Sequence, residues 1–469
     1  MFKTNKLIFG ILFFILLLLT GNILVFAAEN IEEINLEKAF EIAKSNNIEI
    51  NEARKNYENS KNEIKSLNKS LDWKFSLNNS FAYNNGDEYK GLKDDFNLFL
   101  NRKYYSGLSL SSTIGIIEKE PFEFNNLEDK LSYNLNLSLP LYPQIATESE
   151  KNFVLKKDNL EIAKMRLDNI IKQKEINWLE DYLSILRLKE SVLFMKEKEK
   201  LLLDNLSKIE EEYEMGEIGK YNLVNAKISI KEQKIRLEKM ENQLQQEKDH
   251  FYNNLGIKEK YKIKFSKDDN LLKKSKEKAE NEIFNNNLES IYSKAKGNDI
   301  ELISLNKELK RKEDDYKDQK KKNGIEIKTN TNYKKNIYEE NGNLEISIGL
   351  SWDIFDEEIR NINLDNFKRE VDNLKDKNNF RKNSIVLEVN MLLNEKEIYK
   401  MQKENIYMKL ESARLEMKNS KIKYKEDLIT RVEYIESEFK YREIQNEKFE
   451  IEDKLFINDL EVLNLIGEY

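Results

Sequence analysis

The sequence lacks cysteine and is poor in histidine, and each shortage excludes a class of protein. With no cysteine among 469 residues, the chain has no disulfides, no thiol chemistry and no cysteine-ligated metal. His250 is the single histidine, so histidine chemistry is almost excluded, and His250 itself is predicted to be a surface residue. No nucleotide, metal or triad motif is present. We therefore predict a protein that is not an enzyme and needs no cofactor.

Proline is scarce and charge of one sign is not concentrated anywhere. The three prolines, Pro121, Pro140 and Pro143, fall in one short region, so the rest of the chain is free to form long helices. Charged residues make up 35% of the chain and apolar residues 39%, which is typical of long helices with solvated faces. The 79 basic and 86 acidic residues are well mixed. There is no basic face for nucleic acid, and no nucleic-acid partner is expected.

Long apolar runs are missing except at the N-terminus. Two lysines precede the apolar run Leu7–Leu19, and a small-residue site follows at Ala27 and Ala28. This pattern predicts a secretory signal peptide over residues 1–28, with an uncleaved membrane anchor as the alternative. No later stretch reaches the roughly 20 apolar residues of a spanning helix. A form of this protein that is embedded in a membrane would therefore use strands.

Several segments alternate apolar and polar residues with the period of a β-strand. The clearest is Leu131–Tyr142, which places leucines and Tyr133 on one face and serine or asparagine on the other. Similar alternation occurs at 73–84, 108–116, 325–333 and 344–354. One apolar face and one small polar face suit a barrel wall between lipid and water. A strand of a soluble sandwich is the alternative.

Two very long helices are predicted, at Thr147–Tyr213 and Glu358–Tyr424. Neither stretch contains proline, and each helix would span roughly 100 Å. The first ends at a turn that contains Gly216 and Gly219, and the second ends at a turn over Lys425–Thr430. A shorter helix runs back from each turn, which makes two helical hairpins.

The chain repeats its own plan. Asn35–Ile50 matches Asn287–Leu302 at an offset of 252 residues, and each copy opens a helix, to about Ser70 in the first. At the turns the offset is 211 residues. The first copy therefore carries about 40 additional residues, which are predicted to form a loop inserted between its strands.

The predicted division of the chain follows from this duplication. Residues 1–28 are the signal peptide, and residues 29–256 are the first repeat, with a helix, a β-hairpin at about 73–142 that contains the inserted loop 85–130, and a helical hairpin at 146–255. Residues 257–284 connect it to the second repeat, 285–469, which has a helix, a β-hairpin at 325–355 and a helical hairpin at 358–466.

With this plan the sequence resembles the TolC family of outer-membrane efflux proteins over its whole mature length. The segments that carry the resemblance are Asn35–Ile50 with its second copy, the turn Tyr213–Ala226 (YEMGEIGKYNLVNA) and the strand-to-helix junction Leu137–Tyr142 (LSLPLY). Two departures stand out. Pro143 and Gln144 replace the family's glycine pair after the junction, and Asp427 stands in place of the glycine of the second turn.

The resemblance implies an α+β membrane protein that acts as a homotrimer. Each chain would give four strands to one twelve-stranded transmembrane β-barrel and long antiparallel coiled-coil hairpins to a tunnel. The barrel would lie in the outer membrane, in contact with its lipid, and the tunnel would extend into the periplasm of a Gram-negative-type envelope. A single chain cannot close such a barrel, and an open sheet edge is not tolerated in lipid.

The resemblance also implies a function and partners. The protein would be the exit duct of a tripartite efflux or type I secretion system and would passively conduct substrates from an inner-membrane pump of the RND or ABC type. A periplasmic adaptor (membrane fusion) protein would join the two. Two other classes are a periplasmic adaptor itself and a coiled-coil envelope scaffold that transports nothing. The two hairpins and the two strand regions argue against both.

By the same resemblance, the aperture of the duct lies near the helix turns. The candidate aperture residues are Asn222, Asn225, Asp427, Arg431, Glu433 and Glu436, and the residues that mark the tips are Tyr213, Gly216, Gly219 and Tyr424. Threefold repetition would turn each acidic residue into a ring of carboxylates, which favours cations, and pairing with Arg431 would help to close the mouth.

Each of these candidates has a structural alternative. Thr430 and Glu433 have the spacing of a capping box that opens the last helix. Glu436 shares a helix face with Glu433, and that face would otherwise be a solvated surface. Tyr213 and Tyr424 are more easily explained as packing residues at the turns than as gate residues.

Overall fold

The computed structural model describes residues 32–85, 90–118, 131–257, 261–283, 287–336, 340–352 and 358–469. The predicted signal peptide, residues 1–28, and part of the predicted insertion therefore lie outside the described residues.

Seventeen helices and strands are present in the described ranges. Those of the first repeat are β1 (Glu32–Ile34), α1 (Leu36–Asn46), α2 (Ile48–Ser70), β2 (Lys74–Asn85), β3 (Lys90–Lys103), β4 (Ser109–Glu118), β5 (Leu131–Tyr142), α3 (Glu148–Glu214) and α4 (Lys220–Leu255). Those that follow are β6 (Tyr261–Ile263), α5 (Asn270–Ile283), α6 (Leu288–Asn298), α7 (Ile300–Lys322), β7 (Glu326–Asn336), β8 (Asn343–Ser351), α8 (Ile359–Lys425) and α9 (Arg431–Ile466).

The helices confirm the predicted duplication. The long helices α3 and α8 each contain 67 residues, and the returning helices α4 and α9 each contain 36. Both shorter pairs also match, at 11 residues in α1 and α6 and 23 residues in α2 and α7. None of the helices in the described ranges combines the length and the apolarity that a membrane crossing requires.

The helix predicted from Asn35 to about Ser70 is in fact two helices. Asn35 caps α1 as expected, with its side chain accepting a hydrogen bond from the Lys38 amide at 3.0 Å. The chain then leaves the helix at Asn47, whose side chain accepts from the Ile50 amide at 3.1 Å and so opens α2. An asparagine side chain competes well for backbone amides, which is why it favours such a break over a continuous helix.

Six of the eight strands in the described ranges form one antiparallel sheet in the order β2-β3-β4-β5-β7-β8. The sheet thus has two strands more than the four per chain that were predicted for the barrel. The two additional strands, β3 and β4, occupy most of the segment that was predicted to be an inserted loop. Charged residues such as Asp95 interrupt the apolar pattern of β3, so its alternation is hidden in the sequence.

The hydrophobic core lies in the middle of the long helices. Trp178 and Tyr182 of α3 are fully buried there, together with Phe251 of α4 and Leu460 of α9. Trp178 is roughly 45 Å from the start of α3 and roughly 54 Å from its end. A short parallel pair, β1 with β6, closes the same region. The sheet lies beyond one end of the long helices, and the two turns lie at the other end.

Candidate functional site

The six-stranded sheet has one apolar and one polar face. Residues paired directly across antiparallel strands share a face, and successive residues along a strand alternate between the faces. One row across all six strands is Phe75, Leu100, Ser112, Leu135, Tyr333 and Leu344. The adjacent row, on the other face, is Lys74, Asn101, Ser111, Asn136, Asn332 and Glu345.

The apolar face of the sheet is open to its surroundings at both edges. On β2, Phe75 and Leu77 are 69% and 55% exposed, and on β8, Ile346 and Ile348 are 67% and 71% exposed. Large apolar side chains that are exposed in such a continuous patch mark a surface that is covered by lipid or by protein.

At the far end of the first hairpin, Gly216 makes the turn that was predicted. Its φ is +78°, a left-handed conformation that glycine adopts without strain. The Glu217 amide then donates back to the Glu212 carbonyl at 2.9 Å. Gly219 starts α4 without a side-chain cap. Met215 and Tyr221 are exposed on this tip.

The second tip repeats this geometry without the glycine. Asp427 takes the place of Gly216 and has a φ of +56°. The Leu428 amide donates to the Lys423 carbonyl at 2.9 Å, which is the counterpart of the bond in the first turn. The left-handed conformation costs most non-glycine residues roughly 1–2 kcal/mol, but aspartate is one of the few that adopt it more readily, so the second turn forms without glycine at a smaller cost.

Glu433 forms the capping box that its spacing allows. One oxygen of its carboxylate accepts hydrogen bonds from the Thr430 amide at 2.7 Å and the Thr430 hydroxyl at 2.9 Å. In return, the Glu433 amide donates to the Thr430 hydroxyl at 3.3 Å. The bond from the Thr430 amide, followed by the bond from its hydroxyl, holds the pKa of Glu433 below its usual value. Glu433 is therefore an ionised cap of α9.

The remaining aperture candidates lie on the first turns of α4 and α9. Asn222, Asn225 and Glu436 are exposed, and Arg431 is half-buried. Within the ranges that the structure covers, Arg431 forms no ion pair with Glu433 or Glu436. The pairing that would close the mouth is thus not made within one chain.

The two tip tyrosines, Tyr213 and Tyr424, differ in how their rings are packed. Tyr424 stacks on Tyr434 of α9, with ring centroids 5.6 Å apart and planes 6° apart. Tyr213 is 38% exposed, and Leu223 stands in the first hairpin where the second has Tyr434. The stack agrees with the packing role for Tyr424. The partner Tyr434 was missed in the sequence, although its spacing after the turn gives a usable signal.

Above the tips, α3 of the first hairpin packs against α9 of the second. Phe194 meets Phe439 edge to face at 4.6 Å. Farther from the tips, the Arg187 guanidinium binds the buried carboxylate of Asp453 at 2.7 Å. No sequence signal pointed to these contacts, because they join residues about 250 positions apart.

An acidic cleft of about 610 Å³ lies beside this interface, between α3, α8 and α9. Glu180, Glu395 and Glu461 line it. Burial raises the pKa of Glu461, and the nearby carboxylates of Glu180 and Glu395 raise it further.

Comparisons with known proteins bear on the fold. No protein-family model and no curated protein matches the sequence. Solved structures do match. CusC, a protein that forms a transmembrane channel, is 11% identical with a TM-score of 0.64, over 92% of both chains. The outer membrane protein VceC of Vibrio cholerae is 10% identical with a TM-score of 0.63, over 92% of this chain and 96% of its own.

A third match is the CmeC outer membrane channel of Campylobacter jejuni, 14% identical with a TM-score of 0.60, over 92% of this chain and 85% of that one. This chain has the outer-membrane-channel fold. The predicted resemblance to the TolC family is thereby confirmed at the level of the fold. Within that fold, the six-stranded sheet and the two helical tips are the parts whose chemistry bears on function.

Proposed function

We propose that this protein is an outer-membrane exit duct, which passively conducts substrates from an inner-membrane pump to the outside. One observation carries the proposal: a two-faced sheet stands at one end of helices roughly 100 Å long, and two exposed turns stand at the other. A sheet of this kind suits lipid, and helices of this length suit a crossing of the periplasm. The signal peptide over residues 1–28 belongs to the same proposal, because it directs export.

The dimensions of the sheet support its place in a membrane. Trp73, Tyr142 and Trp352 are 50%, 55% and 53% exposed at the helix-proximal ends of the strands, and Tyr83 is 63% exposed near the other end. The ten residue-to-residue steps from Trp73 to Tyr83 cover roughly 33 Å along a strand. At a tilt of about 40° this becomes roughly 25 Å, the height of the apolar band between the aromatic girdles of transmembrane barrels.

The internal repeat supports assembly with copies of the same chain. Within the chain α3 packs against α9. In the duplication, α8 is the counterpart of α3, and α4 is the counterpart of α9. If the packing of α3 against α9 is repeated by these counterparts, α8 of one chain contacts α4 of its neighbour. Exposed apolar residues recur at steps of seven residues on both helices, with one step of fourteen on α8 where Asn394 intervenes, a repeat typical of coiled-coil seams. They are Phe380, Leu387, Met401, Met408, Leu415 and Ile422 on α8, and Tyr221, Ile228 and Ile235 on α4.

A ring closed by these alternating contacts is a tunnel, and we propose three copies. The two repeats, joined by residues 257–284, then give six quasi-equivalent helical hairpins around one axis. The tips form the periplasmic aperture. There Glu436, which is exposed and on the first turns of α9, forms a ring of carboxylates that favours cations. Glu433 supports this ring by capping α9, and Arg431 faces a carboxylate of a neighbouring chain.

The same tips are the docking surface for a periplasmic adaptor, which links the duct to a pump of the RND or ABC type. Met215 and Leu428 are each 67% exposed, one on each tip. Exposed apolar residues at the end of a helical hairpin offer contact area to the apolar face of another helix. An adaptor or a scaffold function for this chain itself is less well supported, because neither needs a sheet with an exposed apolar face.

The experiment that tests this proposal is single-channel recording of the purified protein in planar bilayers. We expect cation-selective channels. Glu436→Ala should reduce the selectivity because it removes the ring of charge, and it should raise the conductance because it removes a carboxylate with which Arg431 of a neighbouring chain can pair to close the mouth. Glu443→Ala is the matched control, on the same helix face roughly 10 Å farther from the turn. A protein that never inserts would refute the duct. Channels that Glu436→Ala leaves unchanged would refute the gate.

A further inference from the structure

We infer that the membrane wall contains six strands from each chain, so that three copies close an eighteen-stranded barrel. The resemblance to known ducts implies twelve strands instead. The number of copies rests on the proposed function, but the number of strands per chain rests on the sheet alone.

The additional hairpin is part of the sheet over its full height. β3 has 14 residues and pairs with all 12 residues of β2, from Lys74 opposite Asn101 to Asn85 opposite Lys90. β4 has 10 residues and pairs with β3 on one side and β5 on the other. A strand of roughly 9–11 residues is long enough to cross a membrane. β3 and β4 therefore separate β2 from β5 as complete wall strands.

The hairpin also carries the two-faced pattern of the wall in register with its neighbours. Leu98 of β3 and Ile114 of β4 lie in the same row as Leu77 of β2 and Tyr133 of β5. On the other face, Thr113 of β4 is opposite Asn134 of β5. A hairpin that projected into water beyond the membrane would have no reason to keep an apolar face aligned with that of the wall.

The turn between β3 and β4 is fixed at the junction of the sheet and the helices. The Thr147 hydroxyl, at the N-cap of α3, donates to the Tyr105 carbonyl at 2.7 Å. The Tyr105 hydroxyl donates to the Asn68 side chain at 2.9 Å, in the last turn of α2, and its ring packs on Phe153 at 5.3 Å. This turn lies level with the helix-proximal ends of β2 and β5, so the hairpin starts where the wall starts.

The two open edges of the sheet fit each other. β2 leaves the helical end of the molecule and β8 returns to it, so β2 of one chain and β8 of the next can pair antiparallel like every other pair of the sheet. An edge left open in lipid would leave its amides and carbonyls unsatisfied, and the edge of a second copy removes that cost. Because barrel diameter grows with strand number, the barrel is about one and a half times as wide as a twelve-stranded one.

The absence of cysteine allows a direct test by paired cysteines and a bifunctional thiol reagent that spans about 5 Å, the Cβ separation of directly opposite residues. In the six-stranded wall, Asn78→Cys with Asn97→Cys and Thr113→Cys with Asn134→Cys are within reach. Asn78→Cys with Asn136→Cys is not. β2 and β5 lie three strand spacings apart, roughly 14 Å, and Asn136 lies four residues along β5 from Ser132, which is in the row of Asn78.

We expect the first two pairs to react nearly completely and the third to stay at the level of single-cysteine variants. If the third pair reacts and the Thr113–Asn134 pair does not, β2 adjoins β5 and the inference is overturned. A second measurement avoids dependence on the cross-links: Leu98→Cys should react with a lipophilic maleimide and resist a membrane-impermeant reagent. Ready reaction with the impermeant reagent would place β3 outside the wall.

Cross-linking between chains then counts the copies. Asn78→Cys combined in turn with Glu345→Cys, Ser347→Cys or Ser351→Cys should give a covalent ladder for at least one pair. A ladder that ends at the trimer, together with reactive pairs within the chain, gives eighteen strands. If the pairs within the chain react but the largest covalent oligomer is not a trimer, the proposed trimer is refuted. The inference of six strands per chain is then still supported.

Discussion

The buried ion pair between Arg187 and Asp453 gives the sharpest prediction about how the two hairpins are held together. The pair joins α3 of the first repeat to α9 of the second at 2.7 Å, with side chains only 12% and 9% exposed. Lys276 adds a longer contact to Asp453 at 3.4 Å, and the Arg187 guanidinium lies 5.0 Å from the Phe449 ring centroid. Asp453→Asn removes the charge with almost no change in volume.

The expected cost of this change is large because it leaves a buried cation without its main partner. Removing one member of a buried pair typically costs about 3–5 kcal/mol. Glu190 still contacts Arg187 at 3.1 Å, so we expect the lower end, about 3 kcal/mol. That is roughly a hundredfold in an opening equilibrium.

Hydrogen exchange of the α9 amides around Asp453 measures this local opening. We expect exchange roughly a hundredfold faster in Asp453→Asn than in the unchanged protein. Glu197→Gln is the matched control, since its pair with Arg442 also joins α3 to α9 but has side chains 59% and 43% exposed. An exposed pair contributes at most about 1 kcal/mol. Equal protection of the α9 amides from exchange in both variants would show that the buried pair does not hold α3 to α9 more strongly than the exposed pair does.

Three further predictions concern the tips. Gly216→Ala should destabilise the first tip by roughly 1–2 kcal/mol, because alanine disfavours the left-handed conformation. Asp427→Gly should stabilise the second tip by less than that, because aspartate adopts this conformation more readily than alanine. The rate of proteolysis at each tip measures both effects, which must have opposite signs. Thr430→Ala should cost α9 about 1 kcal/mol at its first turn, seen as faster amide exchange there and nowhere else. The pKa of Glu433 is depressed, so its contribution to the stability of the first turn of α9 is present above the ordinary glutamate pKa and is lost as the pH falls through the depressed value. The anisotropy of a fluorophore attached to Leu428→Cys should drop as the pH falls through this range. A drop of the same size in Glu433→Gln would contradict the role of Glu433 as a cap.

The helical part of this fold is open to prediction from sequence for physical reasons. Without proline after Pro143, the apolar pattern alone decides where α3 and α8 run, and Gly216 marks the first turn. Thr147 and Thr430 each precede a glutamate by three positions, and both form the capping boxes that this spacing allows. Such signals are local, so they can be seen in the sequence.

The features that escaped prediction depend on distant or masked signals. β3 contains charged residues that obscure its alternation, and only its pairing with β2 and β4 identifies it as a strand of the sheet. The β1–β6 pair joins three residues to three residues across the whole first repeat. The link between Arg187 and Asp453 exists only because two hairpins pack side by side. The aperture residues remain predictions, since their environment depends on neighbouring copies.

Electron cryo-microscopy of the full-length protein, extracted from membranes, would show the sheet, the long helices and the number of copies in one reconstruction. We expect a threefold particle with a barrel of eighteen strands at one end, continuous with a helical tunnel that extends roughly 100 Å and narrows at the tips of α3 and α8. A monomeric or non-threefold particle, or one in which the polar face of the sheet does not line a lumen, would contradict this expectation.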